Sequence, residues 1–181
     1  MLKMKNKAFT LIETLIAITL TTVVITAVTG LILSTLMANT RNMRTLQATF
    51  LAQEGLEAVR FMRDSNWLQN YSWDSASFLW GQDFHVDATN PELTLYLVPE
   101  LCSTDSGQGP CFSLSTFEED GVVTLEDTAE FGRSLTFTAL PDETDPSQMQ
   151  DDKMQVMCTV TWDERGNERS VSLSTYLSNW Q

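Results

Sequence analysis

The sequence has few of the residues that build metal sites and nucleophilic centres. It contains one histidine, His85, and three cysteines, Cys102, Cys111 and Cys158, without a Cys-x-x-Cys pair of the kind that binds zinc. It also lacks a Gly-x-Ser-x-Gly motif and a glycine-rich phosphate loop. We therefore expect no catalytic residue, no cofactor and no metal site, and we expect the protein not to be an enzyme.

Basic residues are also scarce, and they are unevenly distributed. The chain has 11 Lys and Arg against 24 Asp and Glu, a formal net charge of -13 at pH 7. Residues 1–63 carry seven basic and three acidic side chains. The remainder carries four basic and 21 acidic side chains, which gives it a charge of -17. This acidic field repels phosphate backbones and excludes nucleic-acid binding across a broad basic surface. A contact with DNA or a glycan would have to be local.

Acidic clusters are the one feature that suggests a cation. Residues 142–145 with Asp151 and Asp152 carry oxygen ligands suited to Ca²⁺, but they lack the spacing of an EF-hand loop. A solvated acidic loop is the interpretation that we favour.

From Phe9 to Met37 the sequence has no Lys, Arg, Asp, Pro or His. The 23 residues from Leu15 onwards form about 35 Å of helix, which spans a hydrocarbon core of about 30 Å. Three lysines precede the run, so the positive-inside rule places the N-terminal tail in the cytoplasm and the acidic part across the membrane. The run is about twice as long as the apolar core of a secretory signal, which has about 7 to 15 residues.

A single carboxylate, Glu13, interrupts the apolar run. Placing a carboxylate within a membrane costs a few kcal/mol, so such residues mark functional sites that have a cationic partner. A plain membrane anchor would not need it.

The residues around Glu13 carry a family resemblance. Lys5-Asn6-Lys7-Ala8 followed by Phe9-Thr10-Leu11-Ile12-Glu13 resembles the prepilin peptidase motif of type IV pilins and type II secretion pseudopilins. The resemblance implies cleavage between Ala8 and Phe9 on the cytoplasmic side, N-methylation of Phe9, and pairing of Glu13 with a terminal amine during assembly. The family usually has Gly before the cut. Because Ala8 is also small, we expect cleavage to occur, although more slowly.

The same resemblance implies partners and a location. The partners are the prepilin peptidase, other pilin subunits bound through the N-terminal helix, and an inner-membrane pilus or secretion platform. The precursor is expected to cross the cytoplasmic membrane once with its head outside the cytoplasm, and the assembled form to lie in an extracellular or periplasmic filament. We expect a leader at 1–8, a transmembrane and assembly helix at 9–38, an amphipathic helix at 39–64 and a β-rich head at 65–181.

The amphipathic part is predicted to continue the helix without interruption, and Ala48 to Trp67 also resembles pilin-like proteins. Apolar residues recur there at three- and four-residue intervals and predict a stripe that covers a sheet: Met43, Leu46, Phe50, Leu51, Ala58, Val59 and Met62. Gly30 stands where many major pilins have a helix-breaking proline, and it could permit local melting of the helix in a filament. The charged residues of this part are interpreted as a solvated face.

Beyond Trp67, short runs with two-residue alternation predict strands. Three runs alternate, namely 93–97, 134–139 and 154–162, and the pattern returns at 171–177 after a turn-rich segment, which predicts a hairpin. The predicted fold class is α+β and pilin-like, with a long N-terminal helix packed on an antiparallel sheet of about four to six strands.

The cysteines receive two interpretations. Cys102 and Cys111 bracket residues 103–110, which read as a flexible loop, and a disulfide between them would stabilise the head by roughly 2 to 3 kcal/mol. Cys158 lies on the inward face of its predicted strand, so we interpret it as a buried free thiol.

Of the five tryptophans, most are expected in the core, although some could form an aromatic surface for a glycan or for single-stranded DNA.

Three functions remain open from the sequence. The first is a structural subunit, a minor pilin rather than the major one, of a type IV pilus that serves attachment, motility or DNA uptake. The second is a pseudopilin of a type II secretion system, which shares the same motif. The third, from another class, is an anchored adhesin or receptor domain that retains its leader and does not polymerise.

Overall fold

The computed structural model describes residues 11–75, 82–104, 107–125, 130–142, 145 and 149–179, without the side chains of 99–104, 107–111 and 151. The chain divides into two compact units, Met1–Arg44 and Thr45–Gln181. The elements, in chain order, are α1 (Leu11–Leu68), β1 (Glu92–Thr104), β2 (Gly107–Ser115), a short 3-10 helix (Glu118–Gly121), β3 (Val122–Thr124), β4 (Glu130–Pro141), β5 (Met149–Glu164) and β6 (Asn167–Ser178).

Helix α1 contains no proline, and it ends where a left-handed residue stops it. Asn70 has a φ of 58°, a conformation that Asn tolerates better than most residues. The Tyr71 amide donates to the Asn66 carbonyl at 2.9 Å, and the Asn70 amide donates to the Trp67 carbonyl at 3.1 Å. These two bonds form a Schellman motif, which satisfies carbonyls at the helix end. The helix therefore extends four residues beyond the predicted end at 64.

The second half of α1 packs on the sheet through small residues. Its buried positions are Ala48, Leu51, Ala52, Gly55, Leu56, Ala58, Val59, Met62 and Asn66. The predicted stripe is therefore right from Leu51 onwards and wrong at its start, because Met43, Leu46 and Phe50 are more than half exposed. Phe50 is about 200° around the helix from Ala48, so the two cannot face the same sheet.

The sheet has six antiparallel strands among the described residues, in the order β2-β1-β4-β5-β6, with β3 paired to β4. The predicted alternation is confirmed, since the core is formed by inward residues of β1, β4 and β5: Leu95, Leu97, Phe131, Leu135, Phe137, Ala139, Met154, Val156, Cys158, Val160 and Trp162. On β6, Leu177 is buried, whereas Val171 and Leu173 are only partly covered. The difference follows from the position of β6 at the end of the sheet. A helix packed on an antiparallel sheet is the predicted α+β, pilin-like arrangement.

The β5–β6 hairpin confirms the prediction made for 154–177. Its strands are joined by Arg165 and Gly166, with φ of 57° and 79°, and Glu164 pairs with Asn167 on either side. A two-residue turn with both φ positive is type I′, whose twist matches that of the strands. The Asp163 side chain accepts the Gly166 amide at 3.0 Å and closes the turn.

The expectation of a flexible loop at 103–110 is wrong for the residues that the structure describes, and residues 105 and 106 lie outside them. Residues 103, 104 and 107–110 belong to β1 and β2, where Thr104 pairs with Gly107 and the register runs without interruption from Tyr96 opposite Ser115. Extending the ladder pairs backbone amides and carbonyls that a loop would leave to water. Cys102 lies opposite Gly109, and Cys111 lies opposite Glu100. The predicted disulfide depends on side chains outside those that the structure describes, and it stays a prediction.

Candidate functional site

The N-terminal half of α1 exposes its apolar side chains. Leu11 is 81% exposed and Leu31 is 70% exposed, and the large apolar residues between them are exposed to similar degrees. In the described part of the chain, α1 is the one helix long and apolar enough to cross a membrane. An apolar surface of this length needs lipid or other helices around it.

Seven threonines lie within this half of α1, and each hydroxyl donates to a backbone carbonyl three or four residues earlier in the helix. The donor–acceptor distances are 2.7 to 2.9 Å, and the threonines are Thr14, Thr19, Thr21, Thr22, Thr26, Thr29 and Thr35. Because hydrocarbon offers no hydrogen-bond partner, a hydroxyl can enter it at low cost only when it is satisfied internally. The frequency of Thr in this apolar run is the signal in the sequence for these hydrogen bonds.

Glu13 lies in the first turn of α1, and its side chain is exposed. The unpaired amides at the start of a helix stabilise an anion there, but only within the first turn. None of the residues described by the structure forms an ion pair with Glu13. The predicted processing residues Ala8 and Phe9 precede the described residues, so their positions stay predictions.

Gly30 lies within the continuous helix. A Cβ placed on it would meet nothing within 4 Å. Contacts within the described part of the chain therefore do not require glycine at this position, and local melting in a filament stays a prediction.

An ion pair between a buried arginine and a half-exposed glutamate joins α1 to the sheet in the head. Arg133 on β4 is 1% exposed, and its Nη1 donates to Oε2 of Glu54 at 2.9 Å. The guanidinium also lies 5.9 Å from the ring centre of Phe112. Glu54 is 48% exposed, which agrees with the predicted solvated face, and its carboxylate also reaches Arg133. The signal was the inward position of Arg133 in the alternation of β4, since a charge there requires a partner.

Cys158 is buried and free, as predicted. A Cβ on Gly55 of α1 would lie 2.7 Å from its Sγ, so glycine lets the helix approach β5 closely. Burial raises the pKa of the Cys158 thiol to about 12, although the nearby Arg133 lowers it in part. Since the thiolate is the nucleophile, this cysteine is chemically inert near neutral pH.

The one histidine is held in the segment that connects α1 to β1. Nδ1 of His85 contacts Oδ2 of the buried Asp74, and the Ser72 hydroxyl donates to Oδ1 of Asp74 at 2.6 Å. Nε2 of His85 lies 4.0 Å from Oδ2 of Asp87. Backbone amides of Asn90 and Thr89 donate to Asp87 and lower its pKa. The arrangement resembles a serine triad only in composition, because Ser72 donates to the carboxylate and not to the imidazole.

The remaining candidate residues, which are the metal-ligating side chains and the tryptophans, do not come together as a binding site in the described part of the chain. Within the described residues, no three His, Cys, Asp or Glu side chains form a group that could hold a metal ion. Trp73 and Trp162 are buried, as expected of core residues, and Trp67 is 43% exposed beside Tyr71. Trp80 and Trp180 lie outside the described residues.

Comparison with known proteins gives one match. Residues 3–29 match the family model of the prokaryotic N-terminal methylation motif. The matched segment contains Ala8, Phe9, Glu13 and the first part of α1. No curated protein and no solved structure matches the chain.

Proposed function

We propose that this chain, which carries the N-terminal signature of type IV pilins and pseudopilins, is a minor subunit of a type IV pilus that serves attachment, motility or DNA uptake. The signature makes it a pilin- or pseudopilin-type subunit, processed by prepilin peptidase and assembled with other pilins. The apolar half of α1 fits a membrane-anchored precursor. In the proposal, the acidic head lies outside the cytoplasm, and the helix transfers from lipid to the filament.

Glu13 is the observation that carries the proposal. It is the single charged residue between Leu11 and Met37, and no described residue pairs with it. In a bundle of such helices, the N-methylated amine of Phe9 from a neighbouring subunit would supply the missing cation. Removing one partner from a buried pair costs about 3 to 5 kcal/mol, so this contact would select one axial register.

We also propose that the head is not catalytic. The Cys158 thiol is buried with a raised pKa, and the Ser72 hydroxyl donates to the Asp74 carboxylate and not to the imidazole of His85. The contacts of Asp74 with Ser72 and His85 instead tie the connecting segment to itself.

The deciding experiment is intact-mass measurement and N-terminal sequencing of the native protein from membranes and from sheared filaments. We expect a chain in the filament fraction that begins at N-methylated Phe9. A mature protein that retains residues 1–8 and stays in the membrane would instead identify an anchored adhesin or receptor.

The type of filament needs a second measurement. Quantitative mass spectrometry of purified pili should find this chain at a small fraction of the major subunit. Its absence from pili, together with a secretion defect on deletion, would assign it to a type II secretion system.

A further inference from the structure

Strand β6 forms one end of the sheet, and its outer edge pairs with no strand among the described residues. Its inner edge pairs with β5 over twelve residues, from Lys153 opposite Ser178 to Glu164 opposite Asn167. No described residue forms a backbone hydrogen bond with the outer edge.

The register identifies which backbone groups point outward. In a hairpin with a two-residue turn, the residues that flank the turn form a hydrogen-bonded pair, and hydrogen-bonded and non-hydrogen-bonded pairs then alternate. Glu164 and Asn167 are that first pair, so the odd-numbered residues of β6 bond to β5. The amides and carbonyls of the even-numbered residues point away from the sheet: Glu168, Ser170, Ser172, Ser174 and Tyr176.

Natural sheets usually protect such an edge with proline, lysine, a bulge or a very short strand. Strand β6 has none of these between Ser170 and Ser178, and its pairing with β5 shows no register shift. Its charged residues, Glu168 and Arg169, lie at the turn end. About nine uncharged residues, roughly 30 Å of strand, are therefore available for pairing.

The inward face of the edge is also incompletely covered. Val171 and Leu173 are only partly buried, although they pack against the core, and Tyr176 on the opposite face is 66% exposed. An added strand would cover the first two and place a side chain beside Tyr176. Backbone pairing and side-chain burial therefore favour the same type of ligand.

We propose that β6 binds an extended segment of another protein, with an uncharged alternating centre and basic residues at its ends, as an added strand of the sheet. The unpaired row of amides and carbonyls requires a partner with extended backbone. A second copy of this chain fits poorly, because residues beyond Arg63 carry a charge of -17 and two such heads repel each other. Basic ends would instead meet the acidic field. This inference concerns the head alone and does not depend on the proposed filament.

The experiment uses the full-length chain in detergent micelles, observed by backbone amide NMR. The probe is a synthetic ten-residue peptide of alternating Thr and Val between paired terminal lysines, and its matched control has terminal glutamates. We expect saturable shifts at Ser170, Ser172, Ser174 and Tyr176, with at least threefold tighter binding of the lysine peptide. This preference should shrink at high salt.

Substitutions at Ser174 separate edge pairing from other effects. Ser174→Pro removes an outward amide that β5 does not use, so we expect the fold to persist and peptide affinity to fall at least tenfold. The Ser174→Lys variant keeps the backbone amide, and we expect it to bind the lysine peptide more weakly while its binding of the glutamate peptide is not weakened. The Ser174→Thr variant should bind both peptides as the parent protein does. Free-state hydrogen exchange should be at least tenfold faster at Ser172 and Ser174 than at Leu173.

Four results of the peptide and exchange measurements would overturn the proposal. They are the absence of shifts with either peptide, shifts located away from β6, equal binding by the lysine and glutamate peptides, and slow exchange at the outward amides. Self-association that Ser174→Pro abolishes would also overturn it, because the edge would then belong to a second copy.

Discussion

At the residue scale, three side chains have roles that follow from what surrounds them. Glu13 has no partner among the described residues. Arg133 pairs with Glu54, which lies 79 residues away in the chain, and Cys158 packs closely against Gly55 of α1. The first is expected to find its partner in another subunit. The other two fix how the helix lies on the sheet within the head.

Replacing Glu13 with Ala should leave membrane insertion intact and abolish incorporation into filaments. The reason is that the Phe9 amine of the neighbouring subunit would then be buried without its counter-charge. The measurement is the ratio of protein in sheared filaments to protein in membranes. Glu13→Gln, which keeps the shape and loses the charge, should fail as well, and normal incorporation of either variant would refute the pairing.

Replacing Gly55 with Ala should destabilise the head by about 1 to 3 kcal/mol, because the new methyl group would overlap Sγ of Cys158. The free energy of unfolding can be followed in urea by tryptophan fluorescence. In the double variant Gly55→Ala, Cys158→Ala the clash is absent, so the two changes should couple by about 1 kcal/mol or more. Additive effects would mean that the helix moves away from β5 without cost.

The buried thiol predicts a loss of stability in alkali. The pKa of Cys158 is raised in the folded state, so its contribution is fully present below the ordinary value of 9.0 and disappears as pH rises towards about 12. The difference in unfolding free energy between the parent and Cys158→Ala should be constant up to pH 8 and then shrink. A difference that does not change up to pH 11 would contradict the assignment of a buried, neutral thiol.

At the scale of elements, helix α1 and the β5–β6 hairpin are both ended by backbone in the left-handed region. Asn70 ends the helix, and Arg165 with Gly166 turns the hairpin. Asn and Gly tolerate this region, whereas Arg165 adopts it at some cost in free energy. The helix end was therefore missed by four residues because Asn70 acts through its backbone, which a search for apolar periodicity does not detect.

Replacing Gly166 with Ala should destabilise the head by about 1 kcal/mol, because a Cβ is strained at a φ of 79°. Gly166→Asn should cost less, since Asn populates this region more readily. Urea unfolding of the two variants gives the comparison. An Ala variant as stable as the parent would mean that the turn changes type.

At the scale of the whole molecule, every residue of the described hydrophobic core belongs to the unit Thr45–Gln181. The core includes Ala48, Ala52 and Val59 of α1, so the second half of that helix is an integral part of the head. The apolar half contributes nothing to this core. The two halves of one helix therefore differ in what stabilises them.

The fragment 45–181 should accordingly fold as a soluble protein with cooperative unfolding. The fragment 69–181, which lacks the helix, should not, because the inward face of the sheet would be exposed to water. Circular dichroism and urea titration distinguish the two. Cooperative unfolding of the shorter fragment would show that the sheet is stable without α1.

Much of this organisation could be predicted from the sequence. Period-two alternation located β4, β5 and β6, and the apolar run with Glu13 indicated the signature that residues 3–29 match. The buried helix face could be predicted only in part, because Ala48, Ala52 and Gly55 carry the contact while the larger Phe50 lies outside.

Other features depended on distant contacts. Arg133 could not be paired with Glu54 without knowing the packing. The Gly, Ser and Pro content of 103–110 indicated a loop, whereas 103, 104 and 107–110 pair as strands. The roles of Ala8 and Phe9 rest on the motif alone.

In the apolar half of α1, the hydroxyls of seven threonines donate hydrogen bonds to backbone carbonyls of the same helix, so they need no partner from the surroundings of the helix. Its hydroxyls exchange no hydrogen bonds when lipid around the helix is replaced by other helices, so neither environment is favoured on their account. The preference between membrane and filament then depends mainly on one carboxylate and on side-chain packing. If the proposed filament forms, these threonines can therefore pass from lipid to packed helices with their existing hydrogen bonds intact.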